Sequence, residues 1–165
     1  MRNDTKKLTL TSIFIAMNVV LSQMIYIPVG PIKAFPMQHF INVLCAVFVG
    51  PWYGLAQAFI SSALRNFFGT GSLFAFPGSM IGVLLASLLY RKFKRIEVAS
   101  IGEWIGTGLI GSVCTIPLMW MMQIDMKGFM PIFYAFLLSS LIGSIIAYIL
   151  LVLLNKRNLL TKRNG

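Results

Sequence analysis

Arg91-Lys92-Phe93-Lys94-Arg95 stands in the middle of a chain that is otherwise poor in charge, with long apolar stretches on either side. Charges this dense are too costly to leave in hydrocarbon. An excess of Lys and Arg marks the cytoplasmic ends of membrane spans, so the segment reads as a cytoplasmic loop between helices. Two further clusters flank it at a distance: Arg2, Lys6 and Lys7, then Lys156, Arg157, Lys162 and Arg163. Together the three hold eleven of the fourteen basic residues. If all three lie on one side of a bilayer, an even number of spans separates each pair. Residues 96–155 accommodate two helices at about 20 residues per crossing, divided by Gln123-Ile124-Asp125-Met126-Lys127-Gly128. Residues 8–90 accommodate four if some are short.

Composition leads to the same place. Of 165 residues, 58% are apolar and 11% charged, and the mean hydropathy is +0.83. Soluble domains average about 45–50% apolar and about 25% charged residues, and a chain this small leaves much of its surface exposed. A water-soluble enzyme, a nucleic-acid-binding module and a disordered tail are excluded. The net charge of +10 is a topology signal rather than a nucleic-acid footprint. The expectation is an all-α integral membrane protein, one transmembrane domain over residues 1–165, with six helices and both ends in the cytoplasm.

Proline and glycine punctuate the spans. They are expected near 8–27, 39–49, 52–68, 76–90, 99–122 and 130–154, broken at Pro28-Val29-Gly30-Pro31, Gly50-Pro51 and Gly69-Thr70-Gly71. Pro77 falls in a first turn, where it is tolerated. The start of the chain resembles a signal peptide but lacks a small-x-small cleavage site, so it is expected to be retained as the first span. Spans two to four are short, which implies kinks or dipping loops covered by protein or by a water-filled cavity. Tyr26, Trp120 and Tyr134 fall near outer interfaces, and Trp52, Tyr90 and Trp104 near inner ones. Cys45 and Cys114 lie inside apolar runs and are expected to be buried thiols, with no disulfide framework. Small residues four apart (Ser12/Ala16, Gly78/Gly82/Ala86, Gly102/Gly106, Ser139/Gly143/Ala147) mark close helix contacts. Ser12 and Ala16 are the pair that could serve a partner subunit.

Catalytic signatures are missing from the sequence: there is no Walker A lysine motif, His-Glu-x-x-His, Cys-x-x-Cys or Gly-x-Ser-x-Gly. One histidine and four acids, three of them (Asp4, Glu97, Glu103) read as cytoplasmic-flank residues, leave no catalytic, metal or cofactor constellation and no mid-membrane carboxylate of the kind coupled pumps use. Internal repeats, expected of a self-sufficient transporter, are not visible. Polar residues gather instead on one face. Lys33, Gln38, His39 and Asn42 come from the first outer loop and helix two; Arg65, Asn66, Thr70 and Ser72 come from the end of helix three. Phe35, Phe67, Phe68, Phe74 and Phe76 interleave with them. Aromatic walls with a few placed polar groups describe a small-molecule pocket, although Lys33 and Arg65 also fit snorkelling interfacial residues.

These stretches carry a resemblance. Residues 33–44 (KAFPMQHFINVL), Gly50-Pro51-Trp52-Tyr53, residues 64–71 (LRNFFGTG) and residues 74–82 (FAFPGSMIG) are similar to the ThiW family, substrate-binding S-components of energy-coupling factor (ECF) transporters. The similarity runs through most of residues 8–95; the second half matches in layout. The resemblance implies high-affinity binding of the thiamin precursor 4-methyl-5-(2-hydroxyethyl)thiazole from outside, then toppling on a module of one transmembrane coupling protein and two ATPases. It also implies a lid formed by the first outer loop, about Pro28–Met37, and a coupling contact at Ser12-Ile13-Phe14-Ile15-Ala16, where serine replaces the first alanine of an Ala-x-x-x-Ala motif. Phe35, Phe74 or Phe76 could stack on the ring; Gln38, His39, Asn42 or Asn66 could hold its nitrogen and hydroxyl. Arg65 completes the candidate site. Its charge, with that of Lys33, is expected to be interfacial or paired with carbonyls, a phosphorylated ligand being the alternative. Competing readings are an S-component for the pyrimidine precursor or thiamin, and a membrane assembly protein; an intramembrane enzyme would need His39 and Asp125 to cooperate.

Overall fold

The computed structural model describes residues 2–30 and 32–157, with side chains from Asp4 onward. Lys162, Arg163, Pro31 and the side chain of Arg2 lie outside the described residues.

The apolar runs form helices and the proline–glycine breaks separate them. α1 spans Arg2–Met24, α2 Pro36–Phe48, α3 Pro51–Phe67 and α4 Ala75–Phe93. α5 (Ile96–Ile105), a wide π turn (Gly106–Gly111) and α6 (Ile116–Met121) form one interrupted rod, Ile96–Met121. α7 runs Phe129–Lys156. The result is six rods. Pro36 and Pro51 stand in the first turns of α2 and α3, where a missing N–H costs nothing. Gly50, at φ +86°, turns the chain between them.

The first expected loop contains regular structure. Ile27–Val29 (β1) and Ile32–Ala34 (β2) form an antiparallel hairpin with Ile27 opposite Ala34. β-Branched residues suit the strands, and Gly30 supplies the positive φ of the turn. Pro36 and Met37, expected in the loop, belong to α2.

α2 is only 13 residues long, about 20 Å at about 1.5 Å per residue. It stands inside the bundle, touching α1, α3, α4, α5 and α7, and is buried from Pro36 through Ala46. A helix enclosed by protein has no lipid face to match in thickness. Its polar side chains therefore point into protein.

α4 meets the α5 rod along glycine. A Cβ at Gly102, Gly106 or Gly111 would stand 3.0, 2.9 or 2.7 Å from the Cα of Ala86, Gly82 or Gly78. The spacing on α4 is four residues throughout, but Gly106 to Gly111 is five. The π turn takes up the additional residue and keeps Gly111 on the seam. Gly143 of α7 approaches α2 equally closely, with the Pro36 carbonyl and the His39 Cβ where its own Cβ would be.

Three rods, Asp4–Met24, Ile96–Met121 and Met126–Lys156, are long and apolar enough to cross a membrane. The outside is apolar (Ile13, Phe59, Ile101, Ile149), whereas Asn18, Gln57, Ser61 and Arg65 are inside. Cys45 is buried, but Cys114 is exposed on the α5 rod, which corrects the expectation of two buried thiols. Apolar sequence near a span centre does not tell lipid contact from protein contact.

Candidate functional site

Phe35, Gln38, His39 and Asn42 recur at the helical spacing that places side chains on one face. They occupy the hairpin end of α2. Phe35 is the residue before the helix, and Gln38, His39 and Asn42 are 3%, 5% and 0% exposed. Each finds a partner on an element other than α2.

His39 Nδ1 lies 2.9 Å from Oε1 of Glu103 on α5. Asn42 Nδ2 donates to the same oxygen at 2.9 Å, and also to the Ser79 carbonyl and hydroxyl on α4. The Thr107 hydroxyl donates to Oε1 at 3.0 Å and to the Gly78 carbonyl at 3.1 Å. Glu103 is fully buried. This overturns its reading as a flank residue, and with it the statement that the spans hold no buried carboxylate. Gly82 makes the space: a Cβ there would meet both carboxylate oxygens, at 2.7 and 2.8 Å, and the Thr107 hydroxyl. One signal was available in the sequence. An acid inside an apolar span is by default a functional candidate, and Glu103 falls inside the expected span 99–122.

Arg65, in the last turn of α3, is 1% exposed. It is not an interfacial residue. Its Nη1 donates to the amide oxygen of Gln38, and its guanidinium carbon lies 4.3 Å from the centre of the Phe35 ring. Nε and Nη2 have no partner among the described residues. Lys33 differs: it is exposed on β2, with Nζ 4.5 Å from the Tyr26 ring centre.

Some of these side chains (Lys33, Phe35, Gln38, His39 and Ser79) border two adjoining spaces. The inner one, of about 50 Å³, is walled by Phe35, Gln38 and His39, by Phe74 and Ser79, and by Phe136 and Ser139 of α7. The outer one, of about 450 Å³, is bordered by Gln23, Tyr26 and residues 69–72. Ile32, Lys33, Phe35, Ser72 and Phe74 face both, so hairpin and loop form the partition. Four sequence candidates are outside the lining. Arg65 is behind Phe35 and Gln38, which touch it. Asn42 is one turn deeper, in the Glu103 cluster. Asn66 donates to the Ser62 and Ser72 carbonyls and so ties down the loop. Phe76 packs edge-to-face on Phe59, with ring centres 5.6 Å apart. The wall from α7 (Ile132, Ala135, Phe136, Ser139) was not legible beforehand, because its residues are small or apolar. Ser12 and Ala16 are exposed on α1, clear of both spaces.

The architecture is similar to that of an S-component. A solved structure described as the S component of a bacterial ECF transporter is similar to this chain, with a TM-score of 0.67 over 93% of this chain and 95% of that one. At 20% identity the likeness speaks for the fold. Residues 8–157 match the model of the ThiW family, described as thiamine-precursor transporter protein, and the chain belongs to that family. No curated protein matches it.

Proposed function

We propose that this chain is the substrate-binding S-component of an ECF-type importer for 4-methyl-5-(2-hydroxyethyl)thiazole. The observation that carries this reading is the inner space: small, aromatic on two sides, and bordered by a histidine whose Nδ1 is held by Glu103. With Glu103 ionised, Nδ1 carries a hydrogen and Nε2 is the ring's free nitrogen. That nitrogen can meet the substrate hydroxyl, the Ser79 or Ser139 hydroxyl can donate to the thiazole nitrogen, and Phe35 and Phe74 can stack on the ring. About 50 Å³ is room for three or four waters, so a nine-atom heterocycle enters as the Phe35/Phe74 partition gives. Thiamin, a cation, is disfavoured by Lys33 and Arg65.

All six rods cross the bilayer, with the basic clusters and both ends on the cytoplasmic side. The exposed Trp52 belongs at the inner interface; Tyr26, Trp120 and Tyr134, also exposed, belong at the outer one. Location in a bacterial plasma membrane follows. So does partnership with a transmembrane coupling protein and two ATPases, docked on Ser12 and Ala16, with the hairpin as the lid.

Calorimetric titration of the purified, detergent-solubilised protein tests the substrate. The thiazole binds at submicromolar concentration, the pyrimidine precursor and thiamin far more weakly. His39→Ala abolishes binding, and Phe74→Ala weakens it about tenfold through lost stacking. No binding of any of the three by folded protein refutes the reading.

A further inference from the structure

We infer that Arg65 is an oxyanion-binding residue, so that the site that takes the free alcohol binds its anionic forms, a phosphate ester or carboxylate, more tightly still. The inference rests on the thiazole reading above and refines it.

Arg65 is almost completely enclosed, and among the described residues no carboxylate pairs with it. A buried charge normally has a partner because desolvation is so costly. A guanidinium has five N–H donors in a fixed plane and cannot relieve the cost by losing its proton. Here the protein meets part of the demand: Gln38 takes Nη1, and the Phe35 ring lies against the central carbon. The two nitrogens left without an acceptor are Nε and Nη2. They form one edge of the guanidinium, the fork that binds carboxylate and phosphate through two parallel hydrogen bonds.

Both groups that touch Arg65 also border the inner space. Gln38 and Phe35 line it, and Phe35 also faces the outer one. Phe35 directly follows the hairpin, so any displacement of that hairpin shifts the ring lying against Arg65. Lys33, on the same hairpin, faces both spaces and adds a second cation. The site's carboxylate does not compensate for them. Glu103 Oε1 accepts from His39, Asn42 and Thr107 on the far side of His39, and Glu103 borders neither space. Among the described residues the inner space is therefore lined by no carboxylate and is faced by Lys33. Arg65 itself borders neither space; its unfilled edge is reached from the inner one only as Phe35 and Gln38, which touch it, give way.

The test is competitive titration of the whole chain in detergent with the free alcohol, its monophosphate, the corresponding thiazole carboxylate and inorganic phosphate. An ionic contact to a desolvated guanidinium predicts a preference of about tenfold or more for the anionic ligand over the alcohol. The phosphate and carboxylate arms identify which oxyanion it is. Arg65→Gln reduces the ratio of anion to alcohol affinity to about one, while Arg65→Lys keeps part of it. Equal affinity for alcohol and anions, or a preference for the alcohol, overturns the inference and leaves the thiazole reading standing. A preference that survives Arg65→Gln also overturns it, transferring the role to Lys33. Binding of none of the thiazoles overturns both. Wild-type protein alone overturns the inference if the alcohol binds as tightly as the anions, even if neither variant folds.

Discussion

Replacing Glu103 with alanine removes the acceptor through which α2 is bonded to the α5 rod. Three donors converge on its Oε1, but they do not lose equally. The Thr107 hydroxyl keeps the Gly78 carbonyl, and the Asn42 amide keeps the carbonyl and hydroxyl of Ser79. His39 Nδ1 loses its acceptor and stays buried. An orphaned buried donor costs about 1–3 kcal/mol, and breaking one side of a buried pair costs about 3–5 kcal/mol. Relief from burying a carboxylate offsets part of this, so the expected loss is about 3 kcal/mol. For a chain of this length each kcal/mol lowers the melting temperature by about 2–4 °C, a fall of about 6–12 °C in all. Glu103→Gln keeps the volume and a carbonyl oxygen for the three donors, and is expected to lose less than half as much. Thermal unfolding of both variants in one detergent, followed by circular dichroism, measures the difference. An alanine variant within about 2 °C of wild type would show that the cluster does not tie the helices together. A glutamine variant as unstable as alanine would show that charge, not acceptor geometry, is what the site requires.

Two further outcomes follow from the close contacts and the exposed face. Gly143→Ala drives a methyl group into the Pro36 carbonyl and the His39 Cβ, so α7 must shift away from the start of α2. Overpacking of this kind costs about 1–3 kcal/mol, and thiazole affinity measured by calorimetry should fall with it because Ser139 and His39 border the same space. Ser12→Leu combined with Ala16→Leu puts bulk on an exposed stripe of α1. It should leave thiazole binding intact while abolishing co-purification with the coupling protein; retained co-purification would remove α1 from the docking surface.

Legibility differed between fold and site for a physical reason. Helices were visible because apolar runs ended at Gly50-Pro51 or Gly69-Thr70-Gly71 obey local rules: proline removes a donor and restricts its predecessor, and glycine alone enters left-handed backbone cheaply. The hairpin was missed because three-residue strands give almost no periodicity. Gln38, His39 and Asn42 stood out as polar groups in an apolar helix. The partners of His39 and Asn42 did not, because Ser79 and Glu103 are 37 to 64 residues away in sequence and are brought near only by helix packing.

What the sequence determined by itself is the solvent and the order of the elements. Hydrocarbon content fixes a membrane environment, and the breaks fix six rods. Tertiary structure decided which of the few charged residues face inward. Glu103 lies eight residues beyond Arg95, where an acid on a helix can equally face an aqueous interface. The glycine seam between α4 and α5 brings the backbones close enough for Gly82 to make room for its carboxylate. Arg65 is likewise one turn from a helix end, a place where arginine commonly snorkels. The position of α2 inside the bundle, with Phe35 and Gln38 closing over the guanidinium, makes it a buried cation instead. Burial is a property of what surrounds a residue, and in a bundle of six rods those surroundings come from other parts of the chain.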